Sequence, residues 1–220
     1  MAINPIRHLV ILCHPKPGSF NHQVAETYLR TAQACGQEVE VRDLYALEFD
    51  PVLGQVGEMP EADLLDDIAE LRRCDVLAFV YPMWFGQPPA MVKGYIDRVL
   101  GAGFLPQPGK LRSDSLALEG KRMLTISTSG SSEVWLAEQG QLTALHETVD
   151  RYLGAIFRMA RTERLHLPSI VPGMTSLHAR EQLQRVQDVV RSTCADVLHA
   201  AHRREICAMT GIRDKSPSEG

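Results

Sequence analysis

The chain has 220 residues, of which 45% are hydrophobic and 23% are charged, and its formal net charge is -4. This composition is typical of a soluble globular protein with one core. The mild negative charge favours neither nucleic-acid binding nor a polybasic membrane anchor, and no apolar run has membrane-spanning length.

Strand and helix patterns alternate from the N-terminus. The short apolar run at 7–14 predicts a buried strand, and the apolar spacing over 21–34 predicts a helix. Polar and apolar residues alternate at 38–44, which indicates a strand near a sheet edge. Prolines and glycines predict a loop at 50–61, and four apolar residues at helical spacing predict a helix over 64–71.

The same alternation continues through the middle of the chain. Residues 75–82 form the second strongly apolar run and predict a buried strand, followed by a helix over 88–101 whose first residues are prolines. Residues 101–119 have no regular pattern. A third apolar run predicts a strand at 121–129, and helical spacing then extends from Val134 to Leu153.

The last third adds one strand and one long helix. Alternation at 157–167 predicts the fifth strand, and apolar residues on one face predict a helix from Ser176 to Ala200. We expect a single domain over 1–205 and a flexible tail over 206–220, because the final residues are polar and aperiodic.

Five strands alternating with helices predict an α/β fold with a doubly wound, five-stranded parallel sheet and helices on both faces. The three most apolar strands belong in the centre and the two polar ones at the edges, which fits the order 2-1-3-4-5. In such a sheet, ligands bind beyond the carboxyl ends of the strands. The loops after strands one, three and four are therefore the place to look for a site.

The loop after strand one has the sequence HPKPGSFN (14–21). Ser19 and Asn21 offer side-chain donors at the start of a helix, where backbone N–H groups favour an anion such as phosphate. The loop is neither a Walker motif nor G-x-G-x-x-G. A simple cap, in which Ser19 or Asn21 bonds the first helical turn, explains the loop equally well.

The loops after strands three and four carry different chemistry. Trp84 and Phe85 in YPMWFGQPPA (81–90) suit a wall for a flat apolar ligand, although a packing anchor or a subunit contact also fits. STSGSS (127–132) offers hydroxyls and a glycine, and an ordinary strand–helix connection is its alternative. An anion cradle, an aromatic wall and a polar loop together match flavin mononucleotide.

The five cysteines are widely spaced and include no C-x-x-C pair. An odd number of scattered cysteines predicts reduced, mostly buried thiols in a cytoplasmic protein. Neither the cysteines nor the eight histidines have the spacing of a metal site, so we predict no metal.

Four motifs carry a resemblance to a known family: CHPKPGSFNHQVA, DLYALEFDPVL, FVYPMWFGQPPAMVKGYIDRVL and LTISTSGSS. In order and spacing the chain resembles the flavodoxin-like NAD(P)H:quinone oxidoreductases. That family includes mammalian quinone reductase, bacterial modulators of drug activity and flavoprotein partners of potassium-efflux systems. The resemblance covers residues 7 to about 132 and continues more loosely through ERLHLPSIVPG (163–173). DLYALEFDPVL is interpreted as a structural signature that packs at the sheet edge.

The resemblance implies three groups of flavin-binding residues, one in each loop. The first group would hold the phosphate region, the second would line the isoalloxazine ring, and the third would contact its pyrimidine edge. The groups are His14, Ser19, Phe20 and Asn21; Pro82, Met83, Trp84 and Phe85; and Ser127, Thr128, Ser129 and Gly130.

The chain departs from mammalian relatives after the third loop. Those relatives carry a tyrosine and a histidine that are thought to assist hydride transfer. Here Trp135 or a neighbour takes the tyrosine position, and Gln141 or Leu142 takes the histidine position. His146 lies about one helical turn away and is a weak catalytic candidate, with an ordinary helix-face histidine as the alternative.

The resemblance implies a ping-pong enzyme in which NAD(P)H reduces the flavin and a quinone, azo or nitro compound is then reduced by two electrons. It also implies a homodimer with a pocket shared between subunits, without nucleic acid or membrane insertion. The cofactor is FMN or FAD, with a slight preference for FMN. Arg180 resembles a position that meets the adenine side of FAD in mammalian relatives, but it fits a solvated helix face at least as well. A flavodoxin-type electron carrier and an accessory subunit of an ion-efflux system are alternatives.

Overall fold

A computed structural model describes residues 5–54, 64–101 and 118–210. Five parallel strands form one sheet, and the order and parallel arrangement predicted from the sequence are confirmed. In spatial order the strands are β2 (Glu38–Asp43), β1 (Arg7–Leu12), β3 (Val76–Pro82), β4 (Arg122–Thr128) and β5 (Arg161–Leu167).

Burial explains the strand order. Every residue of β3 is buried, as is every residue of β1 and β4 after the first. Strands β2 and β5 lie at the edges and remain partly exposed over most of their length. A strand covered on both faces is mostly apolar, so the apolar runs indicate the centre of the sheet.

Seven α-helices and two π-helical segments are present in the described residues. The π-helical segment Ile96–Gly101 extends α3, and the segment His146–Arg151 joins α5 to α6. The α-helices are α1 (Phe20–Ala34), α2 (Leu65–Arg73), α3 (Ala90–Tyr95), α4 (Glu133–Glu138), α5 (Gln141–Leu145), α6 (Tyr152–Ile156) and α7 (Ser176–Thr210).

Helices cover both faces of the sheet, as predicted. On one face, α1 and α7 bury Val24, Tyr28 and Val190 against the central strands. On the other face, α2, α3 and the residues around α6 bury a second cluster that includes Leu71 and Tyr95. The apolar residues of α1 and α7 that recur at helical spacing in the sequence are thus those that meet the sheet.

Two predicted boundaries in the second half of the chain were wrong. The helix predicted from Val134 to Leu153 is interrupted at Gly140, whose φ of 65° lies in the left-handed region. The fifth strand was predicted from Phe157 but begins at Arg161. The amides of Phe157 and Met159 instead bond carbonyls of α6, because this stretch closes the preceding helix.

The last helix is ten residues longer than predicted. It ends at Thr210 rather than Ala200, because residues 201–210 contain neither glycine nor proline and can continue the helix after the apolar stripe ends. The first five residues of the predicted tail, 206–210, are thus helical. The rest of the tail, and parts of the loops predicted at 50–61 and 101–119, lie outside the described residues. No helix in the described ranges is both long and apolar enough to cross a membrane.

The DLYALEFDPVL segment (43–53) packs against α3. Leu44 is fully buried, and the ring of Phe49 lies 5.4 Å from that of Tyr95. Pro51 approaches so closely that a Cβ atom on Gly94 would lie 2.4 Å from it. These contacts agree with the interpretation of the segment as structural.

Candidate functional site

The loops after β1, β3, β4 and β5 border one cleft of about 510 Å³ at the carboxyl ends of the strands. This is the position that the doubly wound topology predicts for a ligand. The fourth loop, residues 170–174, was not predicted as part of the site. Ten of the twelve predicted residues line the cleft: His14, Ser19, Phe20, Asn21, Pro82, Met83, Trp84, Thr128, Ser129 and Gly130.

The first loop ends in the exposed N-terminus of α1. The amides of His22 and Gln23 donate to the Ser19 carbonyl, at 3.0 and 3.2 Å. Within the described chain, the amides of Phe20 and Asn21 have no acceptor, and the Ser19 side chain forms no cap. The capping alternative is therefore not observed, and two unpaired amides at a positive helix end remain to bind an anion.

Ser19 also belongs to a chain of three side chains. Its hydroxyl lies 2.8 Å from His22 Nδ1, and His22 Nε2 lies 3.2 Å from Asp43 Oδ2. Because the Asp43 carboxylate accepts from Nε2–H, the neutral imidazole accepts the Ser19 proton at Nδ1. Sequence reasoning did not find His22 or Asp43.

His14 lies at the mouth of the same loop. Its Nδ1 accepts the Lys16 amide at 3.0 Å, and its ring meets the edge of the Trp84 indole with 6.2 Å between centroids. Burial lowers the pKa of His14, although its hydrogen bond to the Lys16 backbone acts in the opposite direction. His14 and Lys16 are the titratable side chains among the cleft-lining residues.

The second loop forms a tight turn at the edge of the cleft. Trp84 and Gln87 exchange backbone hydrogen bonds of 3.0 Å, and Phe85 and Gly86 have φ values of 49° and 77°, as in a type I′ turn. Gln141 of α5 donates to the Gly86 carbonyl at 2.9 Å. Trp84 lines the cleft, whereas Phe85 is fully exposed at the tip and does not. Full exposure rules out a packing-anchor role for Phe85 within this chain.

The third loop is tied to the other two. Asn21 Nδ2 donates to Thr128 Oγ1 at 3.0 Å, and the Met83 amide donates to the Thr128 carbonyl at 2.7 Å. Ser127 is fully buried beneath the cleft rather than lining it. Ser127 and Ser129 each lie 2.9 Å from a different ring nitrogen of His166, in β5. His166 lies in the ERLHLPSIVPG segment (163–173), but no sequence feature singled it out as a site residue.

The other predicted residues lie outside the cleft lining. His146 is half-exposed, and its Nδ1 lies 3.4 Å from the buried carboxylate of Asp150. Arg180 is exposed in the first turns of α7, and Trp135 is exposed on α4. In the part of the chain that the structure describes, no group of three His, Cys, Asp or Glu side chains could hold a metal ion.

The arrangement of these loops at the carboxyl ends of the strands indicates the class of protein. Residues 6–192 match the family described as "Flavodoxin-like fold" (Flavodoxin_2), and the chain belongs to that family. The resemblance read from the four motifs is therefore confirmed, as is the fold class.

The curated relatives are oxidoreductases. An uncharacterized NAD(P)H oxidoreductase of Haemophilus influenzae is 34% identical over 135 residues, which cover 58% of this chain and 66% of the relative. NAD(P)H dehydrogenase [quinone] 1 of Cavia porcellus is 29% identical over 153 residues, covering 59% of this chain and 55% of the relative. The chain thus spans less than two thirds of the length of either relative.

Solved structures agree on the fold. The NAD(P)H:quinone oxidoreductase from Methanothermobacter marburgensis superposes with a TM-score of 0.73 at 23% identity. The match covers 86% of this chain and 96% of that one. This likeness shows that the two chains share a fold.

Proposed function

We propose that the protein is a flavin-dependent NAD(P)H oxidoreductase that reduces quinones, or similar flat compounds such as azo and nitro compounds, by two electrons. The observation that carries the proposal is the single cleft lined by three kinds of group. Unpaired helix-terminal amides, an indole wall and a hydroxyl-bearing loop correspond to the phosphate, the ring and the polar edge of a flavin. The names of the curated relatives support the same reaction.

Each group of cleft residues has a proposed role in holding a flavin. The amides of Phe20 and Asn21, with Ser19, would hold the phosphate at the positive end of α1. Met83 and Trp84 would cover the ring, and Ser129 with the Gly130 backbone would meet its pyrimidine edge. When bound, the flavin supplies the hydride acceptor and donor, and the protein supplies placement and the exclusion of water.

We propose FMN rather than FAD. One helix N-terminus with two unpaired amides accommodates one phosphate group. Arg180, the residue that would have indicated the adenine half of FAD, does not line the cleft. We further propose that the protein works in the cytoplasm, since all five cysteines are unpaired.

A homodimer would complete the pocket. Four large apolar side chains are exposed around the Trp84–Gln87 turn and on the neighbouring helix α4: Trp84, Phe85, Val134 and Trp135. Exposed aromatic residues beside a cleft are typical of an interface or of a surface that contacts substrate. A second copy of the chain placed over this edge would cover them. A molecular mass in solution equal to that of one chain would contradict this part of the proposal.

The decisive experiment starts with the cofactor. Purified protein is heated, and the released compound is weighed by mass spectrometry; we expect the mass of FMN. Initial rates are then measured against NADH or NADPH at several menadione concentrations, and double-reciprocal plots should give parallel lines. An apoprotein that takes up neither FMN nor FAD would contradict the proposal.

The electron-carrier alternative is supported by one observation, the exposed aromatic edge, which a protein partner could also cover. A carrier would show no steady turnover with menadione and would exchange single electrons only with a partner protein. Steady two-electron turnover with parallel lines excludes it. For the accessory-subunit alternative, the corresponding measurement is co-purification with a membrane transport protein.

A further inference from the structure

A chain of buried polar side chains leads from the interior of the protein to the cleft. It begins at Asp150, which is fully buried and accepts hydrogen bonds from Thr125 Oγ1, at 2.7 Å, and from Arg164 Nε. The Arg164 guanidinium, also largely buried, then donates through Nη1 to Ser127 Oγ at 3.3 Å. This series of hydrogen bonds thus starts from the Asp150–Arg164 ion pair, in which each charge compensates the other.

His166 continues the chain to the surface of the cleft. Its Nδ1 lies 2.9 Å from Ser127 Oγ, and its Nε2 lies 2.9 Å from Ser129 Oγ. Ser129 is one of the residues that line the cleft, whereas Ser127 is fully buried. His166 therefore joins a buried charge to a hydroxyl group that a ligand can reach.

The direction of these hydrogen bonds follows from counting donors and acceptors. A guanidinium group only donates, so Ser127 Oγ accepts from Arg164 and its own proton must find another acceptor. Among the described residues, the remaining partner of the fully buried Ser127 hydroxyl is His166 Nδ1. A buried hydroxyl proton left without an acceptor is costly, so Ser127 donates to Nδ1.

The directions of the remaining hydrogen bonds then follow. An imidazole that accepts at Nδ1 carries its proton at Nε2, and this N–H donates to Ser129 Oγ. The lone pair of Ser129 that faces His166 is occupied, and the Ser129 proton is available for another acceptor. Its partner within the protein is the Ser131 carbonyl, at a long 3.4 Å. An acceptor atom of a ligand in the cleft would make a shorter bond.

We propose that His166 is a positioning residue that fixes Ser129 as a hydrogen-bond donor to the cleft, so that the cleft selects a ligand with a carbonyl oxygen or an ionised imide at that point. The identification of this ligand group as the pyrimidine edge of a flavin rests on the proposed function. The donor-to-acceptor direction of the hydrogen bonds from Arg164 to Ser129 rests only on contacts within the protein.

The charge state of His166 supports this arrangement. Burial lowers the pKa of His166 to about 4, and the positive charges of Arg164 and Arg185 act in the same direction. The imidazole is therefore neutral at pH 7. A neutral ring has one donor and one acceptor nitrogen, as the chain requires.

The first test needs no flavin. Side-chain ¹⁵N spectra of uniformly labelled apoprotein report which histidine nitrogen carries a proton, and His166→Gln assigns the signal by its disappearance. We expect the Nε2–H form of His166, unchanged between pH 8 and pH 6. A predominant Nδ1–H form, or an imidazolium at pH 7, would overturn the proposal. Because this readout involves only the protein, it is independent of the proposed function.

The second test uses FMN as the probe and a pair of variants. In His166→Asn the shorter amide can replace Nδ1 beside Ser127 but cannot reach Ser129. In His166→Gln the amide nitrogen can occupy the position of Nε2 and donate to Ser129. We expect Ser129→Ala and His166→Asn each to weaken FMN binding about tenfold. Ser129→Ala removes the hydroxyl, and His166→Asn removes the group that orients it. His166→Gln should retain most of the affinity.

A double variant separates positioning from a purely structural role. If His166 acts through Ser129, then Ser129→Ala combined with His166→Asn weakens FMN binding no more than either change alone. The proposal would be overturned if the double variant lost affinity by the product of the two single losses, or if His166→Asn and His166→Gln lost equal affinity. His8→Gln is the matched control, because His8 is also buried between two side-chain partners but lies outside the cleft, and it should change FMN affinity less than twofold.

Discussion

Phe85 has a left-handed backbone, with a φ of 49°, and a fully exposed side chain. For a non-glycine residue this conformation costs about 1–2 kcal/mol. Phe85 buries nothing within its own chain that would offset that cost. A bulky residue kept in a strained and exposed position beside a cleft is therefore best explained by contact with a ligand or a second subunit.

Phe85→Gly tests this explanation at the scale of one residue. Glycine adopts this φ without strain, so we expect the free energy of unfolding to rise by about 1 kcal/mol. The kcat/KM for quinone reduction should fall at least fivefold, because the ring can no longer contact the substrate or the second subunit. Chemical denaturation and steady-state kinetics give the two readouts.

A matched control exists in the turn after β2. Glu48 is also exposed and has a φ of 51°, but it does not line the cleft. Glu48→Gly should raise stability by a similar amount and leave kcat/KM unchanged. A Phe85→Gly variant with unaltered kcat/KM and oligomeric state would show that the phenylalanine has no such role.

At the scale of elements, the Trp84–Gln87 turn depends on a contact from α5. Gln141 donates to the Gly86 carbonyl. A Cβ atom built on Gly86 would lie 2.6 Å from the Gln141 side-chain amide nitrogen. Gln141 and Leu142 are the two residues expected at the position where mammalian relatives carry a histidine. The structure instead shows a residue that anchors the aromatic turn to the helix.

Gln141→Ala should loosen this turn without unfolding the protein. The lost hydrogen bond is worth about 1 kcal/mol, so the effect on the free energy of unfolding should not exceed that amount. The Trp84 indole should become more mobile, with lower fluorescence anisotropy and a several-fold weaker affinity for FMN. Gln139→Ala, at an exposed position two residues earlier, is the control. Equal behaviour of the two variants would exclude an anchoring role.

Helix α3 is held against the segment after β2 by close contact at Gly94. A Cβ atom there would lie 2.4 to 2.5 Å from atoms of Pro51, including its carbonyl oxygen, so backbone would have to move. Gly94→Ala should therefore lower the free energy of unfolding by about 1–3 kcal/mol, although alanine is the better helix former. Ser192→Ala, exposed on α7, should change stability by less than about 0.5 kcal/mol. Urea denaturation measures both, and a neutral Gly94→Ala would contradict the close approach.

At the scale of the whole molecule, two buried histidines link folding to pH. His8 lies between Tyr28 and Gln37 on one face of the sheet, and His166 lies between Ser127 and Ser129. Burial lowers the pKa of His8, and burial with Arg164 and Arg185 lowers that of His166 to about 4. Both histidines are protonated more readily in the unfolded chain than in the folded one.

The sign of the pH effect follows from this difference. Above the unfolded pKa of about 6.5, both states hold a neutral His166 and its contribution to stability is complete. As the pH falls from about 6.5 to about 4, the unfolded chain takes up the proton first and stability decreases, by about 2–3 kcal/mol from His166 alone. Denaturation curves at pH 7.5 and pH 4.5 should show a smaller loss in His166→Gln than in the wild type. His199→Gln, at an exposed position on α7, should show the full loss.

The sequence by itself determined the sheet order and the location of the cleft. The most apolar runs mark β1, β3 and β4, because central strands are covered on both faces. The loop after each of these strands follows it directly in the sequence. Ten of the twelve predicted residues line the cleft for that reason.

Only the tertiary structure decided how those residues are oriented. Ser127 and Phe85 belong to the predicted loops, yet Ser127 is buried and Phe85 is fully exposed without lining the cleft. The partners that orient the cleft lie far along the chain, with His166 37 residues from Ser129 and Asn21 107 residues from Thr128. Such contacts depend on strand register and on the distances between side chains of neighbouring elements, which local periodicity does not encode.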